Sequence, residues 1–106
     1  MIDLSDDDVA YVRIVDTIDW QQPVSHLTVH LEELRKLASN GHIESMVLLA
    51  VFLGDIDSEL HRSEIIRLNE KAFELGSPTA AGNMAIQYAQ WNEPFLSKLW
   101  HSRETP

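Results

Sequence analysis

His26 and His30 stand four residues apart, with Glu33 three positions further on. On a helix that spacing puts two imidazoles on one face, where they can share a zinc ion. A zinc protease would also need a glutamate directly after the first histidine, and Leu27 stands there. Structural zinc takes four ligands, often thiolates, and the chain has no cysteine. The set reads as solvated helix histidines, with a metal-dependent enzyme as the weaker alternative, and no metal ligand or cofactor is assigned. Asp55-Ile56-Asp57 resembles the opening of a calcium loop, but Leu60 occupies the position that needs glycine. Asp3, Asp6, Asp7 and Asp8 form an acidic cluster. Acids in the first turn of a helix, where free N–H groups favour negative charge, account for it better than a cation does. The chain has no glycine-rich phosphate loop, no serine in a nucleophile elbow and no cysteine–histidine pair. No catalytic residue is assigned, and the chain reads as a binding protein rather than an enzyme.

Seventeen acidic residues face eight basic ones, a formal charge of −9 over 106 residues. Phosphate backbones need clustered Lys and Arg, so a nucleic-acid partner is not expected. The same acidity speeds encounter with a basic protein surface and keeps the chain in solution. The longest apolar run, Met46 to Leu53, has eight residues, against roughly 20 for a bilayer-crossing helix. The opening residues are acidic rather than basic and apolar, unlike a signal peptide. A cytoplasmic location is the expectation.

Helix punctuation orders the whole length, as one domain over residues 1–106. Ser5 before Asp6 reads as an N-cap, opening a helix to about Asp16–Ile18. Its β-branched residues leave a strand open as the alternative. Asp19 to Pro23 reads as a turn, Val24 to Ser39 as a second helix, and Gly41 as its left-handed stop. His42 to Leu53 forms a third helix, Gly54 to Asp57 a turn, and Ser58 to Leu75 a fourth helix ended by Gly76. Ser77-Pro78 starts a fifth helix reaching Ala89–Trp91, because proline suits the first helical position. Asn92-Glu93-Pro94 starts a short sixth helix, Phe95 to about His101, and Arg103 to Pro106 forms a tail.

A period of 35 residues joins Gly41 to Gly76, Lys36 to Lys71 and Ala50 to Ala85. In that register four columns are wholly apolar or aromatic: Tyr11, Met46 and Ala81; Ile14, Leu49 and Met84; Val15, Ala50 and Ala85; Ile18, Leu53 and Tyr88. They fall at i, i+3, i+4 and i+7, the spacing of a buried helical stripe. The fold class expected is all-α, with three antiparallel helix pairs stacked as a short solenoid of approximate repeats 5–40, 41–75 and 76–102. Residues 71–88, through Lys71, Ala72, Glu74, Gly76, Pro78, Ala80, Asn83, Met84, Ala85 and Tyr88, resemble the core of a Sel-one-like repeat. That family is a close relative of the tetratricopeptide repeat. The resemblance implies a right-handed superhelix that binds protein segments in a concave groove.

In this register the inner positions are Val12, Arg13 and Asp16, then Val47, Leu48 and Val51, then Gly82, Asn83 and Ile86. The middle set is apolar and its neighbours are partly polar, which is the make-up of a protein-binding patch. The expected partner-binding residues are Arg13, Val47, Leu48, Val51, Asn83 and Ile86. A cover formed by the chain itself is the competing explanation of the same apolar patch. Short, acidic chains of this kind resemble bacterial immunity proteins that block a basic toxin domain. The alternative is an adaptor or regulatory subunit that binds a peptide or pairs as a homodimer through exposed terminal aromatics such as Tyr11 and Trp100.

Overall fold

The computed structural model describes residues 4–104; Asp3 of the acidic cluster and residues 105–106 of the tail lie outside the described residues. The described residues form six α-helices and no strand: α1 (Asp6–Thr17), α2 (Thr28–Ser39), α3 (Ile43–Asp57), α4 (Arg62–Glu74), α5 (Pro78–Gln90) and α6 (Pro94–Glu104). The first segment is thus a helix despite its β-branched residues. Sequence-adjacent helices pack on one another, and the closest association is between α5 and α6. The architecture is all-α.

Local chemistry fixes the helix ends. Ser5 and Asp8 form a capping box: the Asp8 N–H donates to Ser5 Oγ and the Ser5 N–H donates to Asp8 Oδ2, both at 3.1 Å. Ser77 Oγ accepts from the Ala80 N–H at the start of α5, directly before Pro78. Gly41 and Gly76 take φ of 91° and 107°. At the first, the His42 N–H reaches the Leu37 carbonyl and the Gly41 N–H the Ala38 carbonyl; Ser77 and Gly76 repeat this on Ala72 and Phe73. These are two Schellman stops in one register. Asn92, at φ 61°, makes a third, with the Glu93 N–H on the Tyr88 carbonyl.

Four boundaries differ from the sequence reading. Val24–Leu27 is a 3-10 turn rather than the start of α2. There Thr28 Oγ1 donates to the Ser25 carbonyl at 2.9 Å, a local bond that competes with α-helical pairing. Gly54 to Asp57 is the last turn of α3, not a loop. Gly54 lies in that turn facing α5, where a Cβ would meet the end of the Gln87 side chain, 2.8 Å from Oε1. The turn comes later, where Asp57 Oδ1 accepts from the Leu60 N–H, and α4 begins at Arg62 instead of Ser58. At the C-terminus α6 extends through Arg103 to Glu104, where a tail was expected.

The four apolar columns build the core. All of their members are buried except Tyr11 and Val15, which are half-buried. Ala80 and Ala81 are fully enclosed and let α5 lie close to its neighbours, while Leu34, Leu49, Phe52, Leu53, Ile65 and Met84 supply the bulk. Trp100 is buried too, edge-on to Phe73, so it is core rather than an exposed terminal aromatic. Trp91 is buried at the end of α5, where its Nε1–H donates to Ser58 Oγ and Arg62 lies over its ring.

Candidate functional site

α3 and α5 run side by side and expose apolar residues on one face. Two adjoining clefts lie there. The first, about 270 Å³, lies between the middle of α1, α3 and the N-terminus of α5; Tyr11, Glu44, Val47, Leu48, Val51 and Thr79 line it. The second, about 210 Å³, lies between α3, α4 and α5, with Val51, Asp55, Asn69, Asn83, Ile86 and Gln87 among its walls. Val51 lines both, so the two clefts adjoin along one groove-bearing face.

Of the residues expected at the site, Val47 and Leu48 are half-buried in the first cleft, Asn83 and Ile86 line the second, and Val51 bridges them. Arg13 lines neither; it lies on the exposed side of α1 with Val12 and Asp16. Gly82, expected on the inner face, is buried instead, and Glu104 of α6 packs where its Cβ would be. The groove stays open at its rim, where Val51 and Ile86 are exposed, Ile86 by 61%, above the buried Ala50, Ile65 and Asn69.

Four polar residues of the second cleft were not foreseen: Asp55, Asn69, Gln87 and Gln90. Asn69 is 2% exposed; its Nδ2 donates to the Ile65 carbonyl at 3.0 Å, and its Oδ1 has no hydrogen-bond partner. The 35-residue register contains the signal, because Asn69 stands where the preceding repeat has Leu34, which is fully buried. Gln87 Nε2 donates to Gln90 Oε1 at 3.3 Å along the rim, and Asp55 adds a carboxylate.

At the far end of the groove, His42 ties α3 to α1. Its Nδ1 accepts from the Ser45 N–H, so the neutral ring carries its proton on Nε2 and donates it to Asp8 Oδ1 at 2.8 Å. This bond, followed by the bonds from Ser5, holds the Asp8 carboxyl below its ordinary value. The Tyr11 ring packs 5.2 Å from that of His42, and burial, followed by the charge of Glu44, raises its hydroxyl pKa. Among the described residues, the histidine and acid atoms that gather within 4.8 Å are those of Asp8, His42 and Glu44. His26, His30 and Glu33 do not gather: His26 lies in the exposed 3-10 turn, ahead of α2. A cation at Asp8, His42 and Glu44 would have to replace the Nε2–H bond that positions α1.

No helix among the described residues is long and apolar enough to cross a membrane. No protein-family model, curated protein or solved structure matches the chain.

Proposed function

We propose that this chain is a protein-binding module whose partner lies along the α3–α5 groove. The observation that carries the reading is the adjacency of two clefts: Val51 lines both an apolar one at Val47 and Leu48 and a carboxamide-rich one at Asn83 and Gln87. An apolar centre with a polar rim suits a polypeptide ligand, which brings both side chains and backbone amides. The Sel-one-like resemblance of residues 71–88 supports the same reading. The charge of −9 favours a basic partner. In its narrower form the module is an immunity protein that covers the basic surface of a toxin. Rescue of cells by co-expression with a toxin-like product of the adjacent gene is the expected result, and failure to rescue disposes of the narrower form.

The groove itself is tested with a displayed library of random dodecapeptides, selected on the wild-type protein and counter-selected on Leu48→Glu. If the groove binds polypeptide, the variant keeps its melting temperature and loses the selected peptides. If Leu48 is core packing, the unpaired charge costs a few kcal/mol of stability, and the reading falls. A folded variant that binds the peptides as the wild type does would equally refute it.

A further inference from the structure

The second cleft has a floor that the fold leaves chemically incomplete. Asn69 is buried on α4, yet its Oδ1 accepts nothing, while its Nδ2 is held by the Ile65 carbonyl. Because Nδ2 is fixed as the donor, the unpaired atom of this cleft-lining side chain is an acceptor. A buried acceptor without a donor is costly, and the same position in the preceding repeat is Leu34, which has no such cost. The fold therefore does not require a carboxamide there. The rest of the cleft has the same bias. Asp55 contributes a negative charge, Asn83, Gln87 and Gln90 contribute amides, and none of the lining residues is Lys, Arg or His. Val51, Ile65 and Ile86 give it apolar walls. A lining side chain with an unpaired acceptor, an exposed carboxylate and apolar walls match a side chain with an aliphatic stem and a cationic, donor-only head.

Building on the groove reading, we propose that this cleft is a subsite for a basic side chain of the partner polypeptide. The head group donates to Asn69 Oδ1 and pairs with Asp55, and the stem lies against Val51 and Ile86. Arginine suits it best, because its fork of five N–H donors can serve both acceptors at once. The subsite accounts for Asn69 where the preceding repeat has the fully buried Leu34, and it places the attraction of an acidic protein for a basic partner at one position.

The test uses the peptides selected from the dodecapeptide library. The expected result is an arginine or lysine at one fixed position of the selected peptides. Replacing it with norleucine weakens binding to the wild-type protein about tenfold or more, as loss of a charge-assisted hydrogen bond does. The same replacement has little effect on binding to Asn69→Leu, whose fold is checked by its melting temperature. Asp55→Asn, at an exposed position, gives an independent second comparison and should also reduce the penalty for norleucine. Selected peptides without a basic residue, or an equal norleucine penalty on all three proteins, would overturn the subsite. In that case the groove reading still stands if Leu48→Glu abolishes binding. If the library yields no binder, the groove reading falls and the subsite falls with it.

Discussion

At the scale of single residues, the informative positions are polar atoms held in unusual surroundings. Asn69 keeps an unpaired acceptor inside the protein. Asn69→Leu, which copies Leu34 of the preceding repeat, should raise stability by roughly 1 kcal/mol, a rise of several degrees in melting temperature. A lower melting temperature would mean that the bond to the Ile65 carbonyl outweighs the orphaned oxygen. Two carboxylates make a separate prediction about acid. Asp8 is held below its ordinary 3.8 chiefly by His42, and Glu64 below its ordinary 4.5 chiefly by Arg35, which reaches it through two bonds of 2.9 Å. A folded pKa below the unfolded one stabilises above the unfolded value and is lost as pH falls through the folded value. Melting temperatures should therefore hold steady from neutrality to about pH 5 and fall below about pH 4. Asp8→Asn with Glu64→Gln should flatten that decline, and an unchanged acid profile in the double variant would refute the assignment.

At the scale of elements, three Schellman stops terminate α2, α4 and α5, at Gly41, Gly76 and Asn92. Nothing lies within 4 Å of a Cβ placed on Gly41 or Gly76, so alanine there meets only the backbone penalty of a left-handed conformation. Each substitution should cost about 1–2 kcal/mol, read by chemical denaturation, and Asn92→Gly should cost nothing. A neutral Gly76→Ala would mean that the stop is not needed to end α4. The glycines at helix ends, the serine caps and the 35-residue columns were legible in the sequence because each rests on local chemistry or a fixed period. The end of α3 was not. Gly54 looks like a turn residue until Gln87, 33 positions away, is seen against it. The 3-10 turn at Val24–Leu27 carries local bonds from the His26 N–H to the Pro23 carbonyl and from Thr28 Oγ1 to the Ser25 carbonyl, which periodicity does not register. At the site, the apolar set Val47, Leu48 and Val51 followed from its place in the repeat. Asn69 did not, because a polar residue on a helix stripe reads as solvated until the neighbouring helices close over it.

For the whole molecule, the stack is uneven along its length. α3 buries Met46, Leu49, Ala50, Phe52 and Leu53, and α5 buries Ala80, Ala81, Met84, Ala85 and Tyr88, whereas α1 buries only Ile14 within its span. α1 touches α2 sparingly and is followed by exposed chain from Asp19 to His26. Its tether to α3 is the bond between Asp8 and His42, beside the Tyr11 ring. In a stack of helix pairs each unit is stabilised by its neighbours, so an end unit with thin interfaces opens first. Native-state hydrogen exchange should show α1 amides exchanging through local opening, at free energies well below those of α3 and α5. Asp8→Ala should speed that exchange in α1 while leaving α5 and α6 unchanged, because its bonds reach only Ser5 and His42. The consequence for the groove is direct. Tyr11 of α1 walls the first cleft, so opening of α1 enlarges the end of the groove next to Val47. A partner that contacts Tyr11 should restore protection to α1 as it binds. If α1 amides instead exchange only with global unfolding, in the wild type and in Asp8→Ala alike, the stack is one cooperative unit and the groove is rigid along its whole length.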